Sequence, residues 1–132
     1  MNGRGRTSRL PGFSLVELLI VVTILGILAT IAIPMVGRAA LQAREAALRE
    51  DLYALRQALE DFHLVHDRYP TSLRALVEHH YLPGLPKDPI TTSPDTWQVI
   101  YDSDAEGQPA GIIDVRSGSR ANGSDGQRYA DW

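Results

Sequence analysis

Hydrophobic residues dominate one long stretch near the start of the chain. From Phe13 to Val36 the sequence holds one carboxylate, Glu17, and no other charge before Arg38. These 24 residues can cross a hydrocarbon layer of roughly 30 Å as a helix that rises about 1.5 Å per residue. The pattern therefore predicts a membrane-spanning helix. The carboxylate at its start is costly in hydrocarbon, which indicates that a partner group neutralises it.

A narrower apolar stripe continues at helical spacing after this segment. It consists of Leu41, Leu48, Leu52, Leu55, Leu59 and Phe62. We expect the charged residues between them to form a solvated face: Arg44, Glu45, Arg49, Glu50, Asp51, Arg56, Glu60 and Asp61. The helix should end near Asp67, because the residue before Pro70 is disfavoured in a helix. The brevity of the stripe favours packing against a following domain over a coiled coil.

Residues 70–132 show the pattern of a small domain. Thr71 and Ser72 can cap a short helix from Leu73 to about Glu78. A proline-rich connection follows, and then two β-branched and aromatic runs that flank a turn-rich loop. The connection, first strand, loop and second strand are residues 82–89, 97–101, 102–109 and 111–115. The fold class predicted is α+β, with a small antiparallel sheet packed on the long helix.

Composition narrows the possible functions. The net charge is −3, and it becomes −6 without the three arginines that precede the apolar segment. This balance argues against nucleic acid as a partner, because binding to a phosphate backbone needs a concentrated basic surface. The chain has no cysteine, which excludes disulfides and thiolate metal sites. Its 132 residues allow one small domain and one spanning segment.

A short basic leader precedes the apolar segment and carries Arg4, Arg6 and Arg9 without an acid. Leader, Gly12, Phe13 and Glu17 together resemble the class III signal of type IV pilins and pseudopilins. Gly26 and Pro34 lie at spacings typical of the same superfamily. A conventional signal peptide fits poorly, because its apolar core is usually about 7–15 residues long. A permanent signal anchor remains the other alternative.

The rest of the chain resembles the major pseudopilins of type II secretion systems. The likeness lies in Tyr69-Pro70, a Leu-Pro-Lys-Asp-Pro segment at 85–89, a hairpin, a glycine-rich acidic loop and a terminal Ala130-Asp131. The resemblance implies a pilin-like fold in four parts. These are a removed leader, residues 1–12; a membrane and filament-core helix, 13–36; a periplasmic half of that helix, 37–69; and a periplasmic domain, 70–132.

The resemblance also implies a structural role and no enzymatic one. A prepilin peptidase would cut after Gly12 and methylate the new amine of Phe13, and Glu17 would pair with that amine in a neighbouring subunit. Gly26 and Pro34 would be weak points of the helix. The expected partners are further copies of the chain, minor pseudopilins, the peptidase and the inner-membrane assembly platform. The arginine leader places the amino terminus in the cytoplasm and the domain in the periplasm.

Calcium is the cofactor that the resemblance implies, in the last loop. Asp114, Asp125 and Asp131 are the candidate ligands, since calcium prefers oxygen atoms. Arg120 stands where the family usually has an aspartate, and an arginine cannot bind a cation. Three interpretations stay open: a calcium site, an Arg120 bridge to Asp125 or Asp131 that replaces the ion, and solvated turn residues.

Other functions remain as alternatives. A major type IV pilin would form surface filaments for adhesion, motility or DNA uptake. A membrane-anchored periplasmic binding module or enzyme would keep its leader. Zinc binding is disfavoured because no thiolate completes a site with the four histidines, His63, His66, His79 and His80. No phosphate loop, nucleophile elbow or dinucleotide motif is present.

Overall fold

The computed structural model describes residues 11–132, so the leader arginines lie outside the described residues. In chain order the elements are α1 (Leu15–His66), α2 (Leu73–Glu78), β1 (Gln98–Ser103), β2 (Pro109–Arg116) and a 3₁₀ turn (Tyr129–Asp131). The described residues up to Arg38 and the residues from Ala39 onward form two compact units. The predicted α+β class is confirmed.

Helix α1 begins and ends close to the predicted positions. It starts at Leu15 and continues through Pro34 to His66. Asp67 follows with a φ of 55°, a left-handed conformation that terminates a helix, and its N–H donates to the carbonyl of His63 at 2.8 Å. Helix α1 therefore ends because Asp67 adopts a left-handed conformation, and Pro70 adds to this because it disfavours a helical conformation at Tyr69.

The apolar stripe of α1 forms the core of the unit from Ala39 onward, as predicted. Its leucines meet apolar residues from every later element, and burial of such side chains supplies most of the folding free energy of a small domain. The core comprises Leu48, Leu52, Leu55, Ala58, Leu59, Phe62, Leu73, Leu76, Trp97, Ile112, Val115 and Tyr129. Leu41 is the exception among the predicted stripe residues, since it is 40% exposed.

The prediction of a fully solvated charged face on α1 was wrong. Glu45 is only 3% exposed, and Asp51 and Arg56 are half-buried. The C-terminal loop, residues 117–132, donates hydrogen bonds to Glu45, and Arg56 donates to the Trp132 carbonyl at the end of that loop. Glu45 and Arg56 thus have protein partners rather than water.

Helix α2 has the predicted cap. The Ser72 side chain accepts a hydrogen bond from the Ala75 N–H at 3.3 Å, which satisfies one of the free donors of the first turn. Leu73 and Leu76 are buried against the core. The helix is therefore held by one polar contact at its start and two apolar contacts on its inner face.

The two predicted strands form an antiparallel hairpin and are longer than expected. Val99 pairs with Val115 and Ile100 with Asp114, and the register shifts after Ile100 and again after Asp102. Such shifts bend a hairpin and increase its twist. β1 begins one residue later than predicted, at Gln98, and extends to Ser103, and β2 extends from Pro109 to Arg116, so both strands include residues of the predicted loop.

Asp88 fixes the proline-rich connection to the end of β2. Its carboxylate is fully buried and accepts hydrogen bonds from Ile90 N (2.8 Å), Thr91 N (3.3 Å), Ser117 Oγ (2.6 Å) and Gly118 N (3.1 Å). A buried carboxylate is tolerated only when its oxygen atoms are satisfied in this way. The hydrogen bonds of the Asp88 carboxylate therefore hold the connection in place, in addition to the rigidity that its prolines give.

Candidate functional site

The predicted cleavage junction lies at an accessible position. Residues 11–14 precede the helix without regular structure, and the Phe13 side chain is 87% exposed. A Cβ atom placed on Gly12 would meet no other atom within 4 Å. A peptidase that needs an extended substrate around Gly12 can therefore reach the bond between Gly12 and Phe13.

Ser14 and Glu17 form a capping box at the start of α1. The Glu17 carboxylate accepts from the Ser14 N–H at 2.9 Å, and the Ser14 hydroxyl accepts from the Glu17 N–H at 3.2 Å. The Ser-x-x-Glu spacing is a known signal for this arrangement, and the sequence analysis missed it. Glu17 therefore has a local partner within its own chain, beside the peptide group of Phe13, and only one of its oxygen atoms takes part in this bond.

The apolar segment of α1 exposes its whole circumference. The helix is long and apolar enough to cross a membrane, and its most apolar part is not buried within the protein. The two hydroxyl groups of this segment bond to the helix itself: Thr23 donates to the Leu19 carbonyl and Thr30 to the Ile27 carbonyl, each at 2.7 Å. The segment thus presents no unsatisfied hydroxyl group to a lipid or to a neighbouring helix.

Gly26 and Pro34 lie within continuous helix. Both positions are assigned to α1, and a Cβ atom on Gly26 would meet nothing within 4 Å. Pro34 has no N–H to donate to the preceding turn. Their role as weak points in an assembled filament stays a prediction.

The three candidate calcium ligands do not converge. Asp114 accepts from Arg56 Nε at 2.8 Å, Asp125 lies 3.8 Å from an Arg49 nitrogen, and Asp131 accepts from Arg128 at 2.9 and 3.1 Å. Within residues 11–132, no three carboxylate or imidazole side chains are grouped so that they could hold a metal ion. The residues therefore do not fit a calcium site, because each carboxylate already faces a guanidinium group.

Arg120 is not the arginine that meets these aspartates. Its side chain is exposed, and the partners of Asp125 and Asp131 are Arg49 and Arg128. The expected Arg120 bridge is thus replaced by one arginine from α1 and another from the loop itself. Asp125 and Asp131 therefore do form ion pairs with arginines, but the arginines are Arg49 and Arg128 and not Arg120.

Glu45 is the functional residue that the sequence analysis missed. Its Oε1 accepts from Ser124 N at 2.7 Å and from Tyr129 Oη at 2.9 Å, and its Oε2 accepts from Ser124 Oγ at 2.5 Å. The hydrogen bonds from Ser124, with that from Tyr129 and the charge of Arg49, lower the pKa of Glu45 against the opposing effect of burial. Burial and the Glu45 charge raise the pKa of Tyr129.

Two family models match the chain, one at the start of α1 and one over the rest of the sequence. Residues 11–33 match the prokaryotic N-terminal methylation motif. Residues 35–131 match the family described as type II secretion system (T2SS), protein G. The chain belongs to the type II secretion system protein G family. The predicted resemblance is confirmed.

Curated relatives of this protein G family member are type II secretion system core proteins G. The Aeromonas hydrophila protein is 32% identical over 139 residues, covering 93% of this chain and 89% of the relative. The Klebsiella michiganensis protein is 31% identical over 131 residues, covering 87% and 84%. The Klebsiella pneumoniae protein is 35% identical over 97 residues, covering 61% and 69%. No solved structure is a significant match.

The folded chain should lose stability in acid, partly because Glu45 becomes protonated and its charged hydrogen bonds are lost. A carboxylate whose pKa is lowered in the folded state stabilises the fold above its unfolded pKa, and this contribution disappears as the pH falls through the folded pKa. Glu45, with an ordinary value of 4.5, and Asp131, whose pKa is lowered by its Arg128 partner, both act in this direction below about pH 5. Asp51 opposes them, because burial raises its pKa.

Urea unfolding of the full chain in detergent, repeated between neutral pH and the acid limit, measures this loss. We expect Glu45→Gln to be less stable than the wild type at neutral pH and to lose less stability on acidification, because it lacks the titrating group. Glu50→Gln, an exposed change on the same helix, is the matched control. Parallel pH curves for the wild type and Glu45→Gln would contradict the assignment.

Proposed function

We propose that the chain is processed after Gly12, methylated at Phe13 and polymerised into a periplasmic pseudopilus that drives protein export. A pseudopilin subunit of type II secretion is what the family and the methylation motif together indicate. The proposal adds processing, filament assembly and the identity of the partners. Support for these additions comes from the residues at the start of α1.

One observation carries the proposal: an accessible Gly12-Phe13 junction precedes a capped, fully exposed apolar helix. An apolar helix that is not buried in its own protein needs lipid before assembly and other helices after it. Removal of the leader creates a charged amine on Phe13, four residues before Glu17. Each subunit therefore carries both members of an ion pair at the same end.

The ion pair would set the position of one subunit against the next. Attraction between an amine and a carboxylate strengthens as the surroundings become less polar, from about 1 kcal/mol at 4 Å in water to about 4 kcal/mol at an effective dielectric constant near 20. Apolar contacts between the helices would supply the rest. The free oxygen of Glu17 can accept the neighbour's Phe13 amine while the other keeps the cap.

The proposed location is the inner membrane before assembly, with the amino terminus in the cytoplasm and residues 37–132 in the periplasm. The proposed partners are further copies of the chain, minor pseudopilins, prepilin peptidase and the inner-membrane assembly platform. The role is structural rather than catalytic. Support comes from the one membrane-length apolar helix found within residues 11–132 and from the basic leader before it.

Mass spectrometry of the amino terminus tests the proposal. We expect the chain purified from membranes to begin at Phe13 and to carry one methyl group on its amine. A Gly12→Leu variant should retain the leader, because the larger side chain obstructs the bond to be cut. An intact leader in the wild type would instead indicate a permanently anchored module, and methylated chains in long surface filaments would indicate a type IV pilin.

A further inference from the structure

We propose that Glu45, Arg49 and Arg56 of α1 close the C-terminal loop of this chain without a divalent cation. The set is called the Glu45 clamp, and it consists of Glu45, Arg49, Arg56, Ser124 and Tyr129. The proposal concerns the folded subunit alone, so its outcome does not depend on processing or filament assembly. It departs from the calcium loop that the family resemblance implies.

The clamp residues on α1 share one face of the helix. Glu45, Arg49 and Arg56 are separated by four and seven residues, and at 3.6 residues per turn these spacings place them in one row. Glu45 contacts Ser124 and Tyr129, Arg49 meets Asp125, and Arg56 donates to the Trp132 carbonyl at 2.7 Å. One helix face therefore holds the loop at several points from residue 124 to residue 132.

Glu45 accepts hydrogen bonds from donor groups of the C-terminal loop. It lies 79 residues before Ser124 in the sequence and binds both the backbone N–H and the hydroxyl group of that residue. Charge-assisted hydrogen bonds of this kind are about twice as strong as neutral ones. The remaining bond, from Tyr129, ties the buried aromatic ring of the 3₁₀ turn to the same carboxylate.

The Trp132 side chain packs over the clamp and strengthens it. Arg49 lies 4.0 Å above the centre of the Trp132 ring, and Tyr129 meets that ring edge-on with the centres 5.0 Å apart. A cation over an aromatic face contributes about 0.5–1 kcal/mol at a partly exposed site. Arg49 thus uses both its charge, towards Asp125, and its planar group, towards Trp132.

A divalent cation would have to displace these contacts. Calcium needs six to eight oxygen ligands, and carboxylates are its strongest protein ligands. Asp114, Asp125 and Asp131 each face an arginine, so a cation bound to them would lie beside positive charge. Glu45 has both oxygen atoms engaged by donors from the loop. Arginine and buried glutamate therefore supply together the cross-linking that an ion would supply.

Thermal unfolding of the full chain in detergent, with millimolar Ca²⁺ or with a chelator, tests the proposal. We expect the wild-type midpoint to be the same in both conditions. Glu45→Gln should unfold about 5–15 °C lower in both, since three charge-assisted hydrogen bonds are replaced by weaker neutral ones. The matched control is Glu50→Gln, which removes the same charge from an exposed position of α1 and should leave the midpoint unchanged.

Trypsin cleavage after Arg120, followed by mass spectrometry, reports on the loop itself. Glu45→Gln should be cut there much faster than the wild type, and calcium should not restore protection. If Glu45→Gln does not fold, Tyr129→Phe removes one of the three donors and should show a smaller change of the same kind. A wild-type midpoint that rises by several degrees with calcium would overturn the proposal, and so would equal behaviour of Glu45→Gln and Glu50→Gln.

Discussion

Glu17→Ala should leave the leader cleaved and Phe13 methylated, while the chain fails to enter filaments. Loss of one partner from a buried ion pair costs about 3–5 kcal/mol. That cost corresponds to roughly a hundredfold or more in the equilibrium for adding a subunit. Assembly is measured by shearing or cross-linking filaments from cells that express the variant, and processing by the mass of the membrane-bound chain.

Two further variants separate the ion pair from the capping box. Glu17→Gln keeps the cap, because a glutamine carbonyl can accept from the Ser14 N–H, but it removes the charge. Ser14→Ala removes the hydroxyl half of the cap and keeps the charge. We expect Glu17→Gln to fail in assembly and Ser14→Ala to assemble. The reverse result would show that Glu17 acts by capping its own helix.

Asp88→Ala should strongly destabilise the unit from Ala39 onward. Its four donors come from two separate segments, and their loss leaves polar groups buried without partners. Such a change costs about 3 kcal/mol or more. In a unit of this size the midpoint of thermal unfolding should fall by about 10–20 °C.

Calorimetry or circular dichroism of the full chain in detergent measures this shift. Asp95→Ala is the control, because Asp95 lies between the connection and β1 with an exposed side chain and should change stability by less than about 0.5 kcal/mol. Gly118→Ala should reproduce the loss by another route, since its Cβ would lie 2.0 Å from the Thr96 carbonyl oxygen. Wild-type stability of Asp88→Ala would show that the connection is held by its prolines alone.

Local signals predicted most of the architecture. The apolar period located α1, Ser72 marked the start of α2, and the β-branched runs located the hairpin. These features depend on neighbouring residues, which a single sequence displays directly. The Ser14–Glu17 capping box is of the same kind, and its spacing could have been recognised.

Contacts between distant segments could not be predicted in this way. Glu45 stands among arginines and alanines, so its sequence context is that of a surface residue, and its partners lie 79 and 84 residues further on. Asp88 likewise depends on Ser117 and Gly118, which lie 29 and 30 residues away. Asp114, Asp125 and Asp131 were predicted as calcium ligands, and nothing local indicates which arginine each one meets.

The row of Glu45, Arg49 and Arg56 on one helix face also bears on when a subunit becomes complete. In the proposed Glu45 clamp all the groups that close the loop are part of the chain, so closure would accompany folding and would need no later encounter with an ion. A newly exported subunit would then be ready for assembly as soon as its domain has folded. Its supply would follow the rate of synthesis and export, and it would be unaffected by a shortage of calcium outside the cytoplasm.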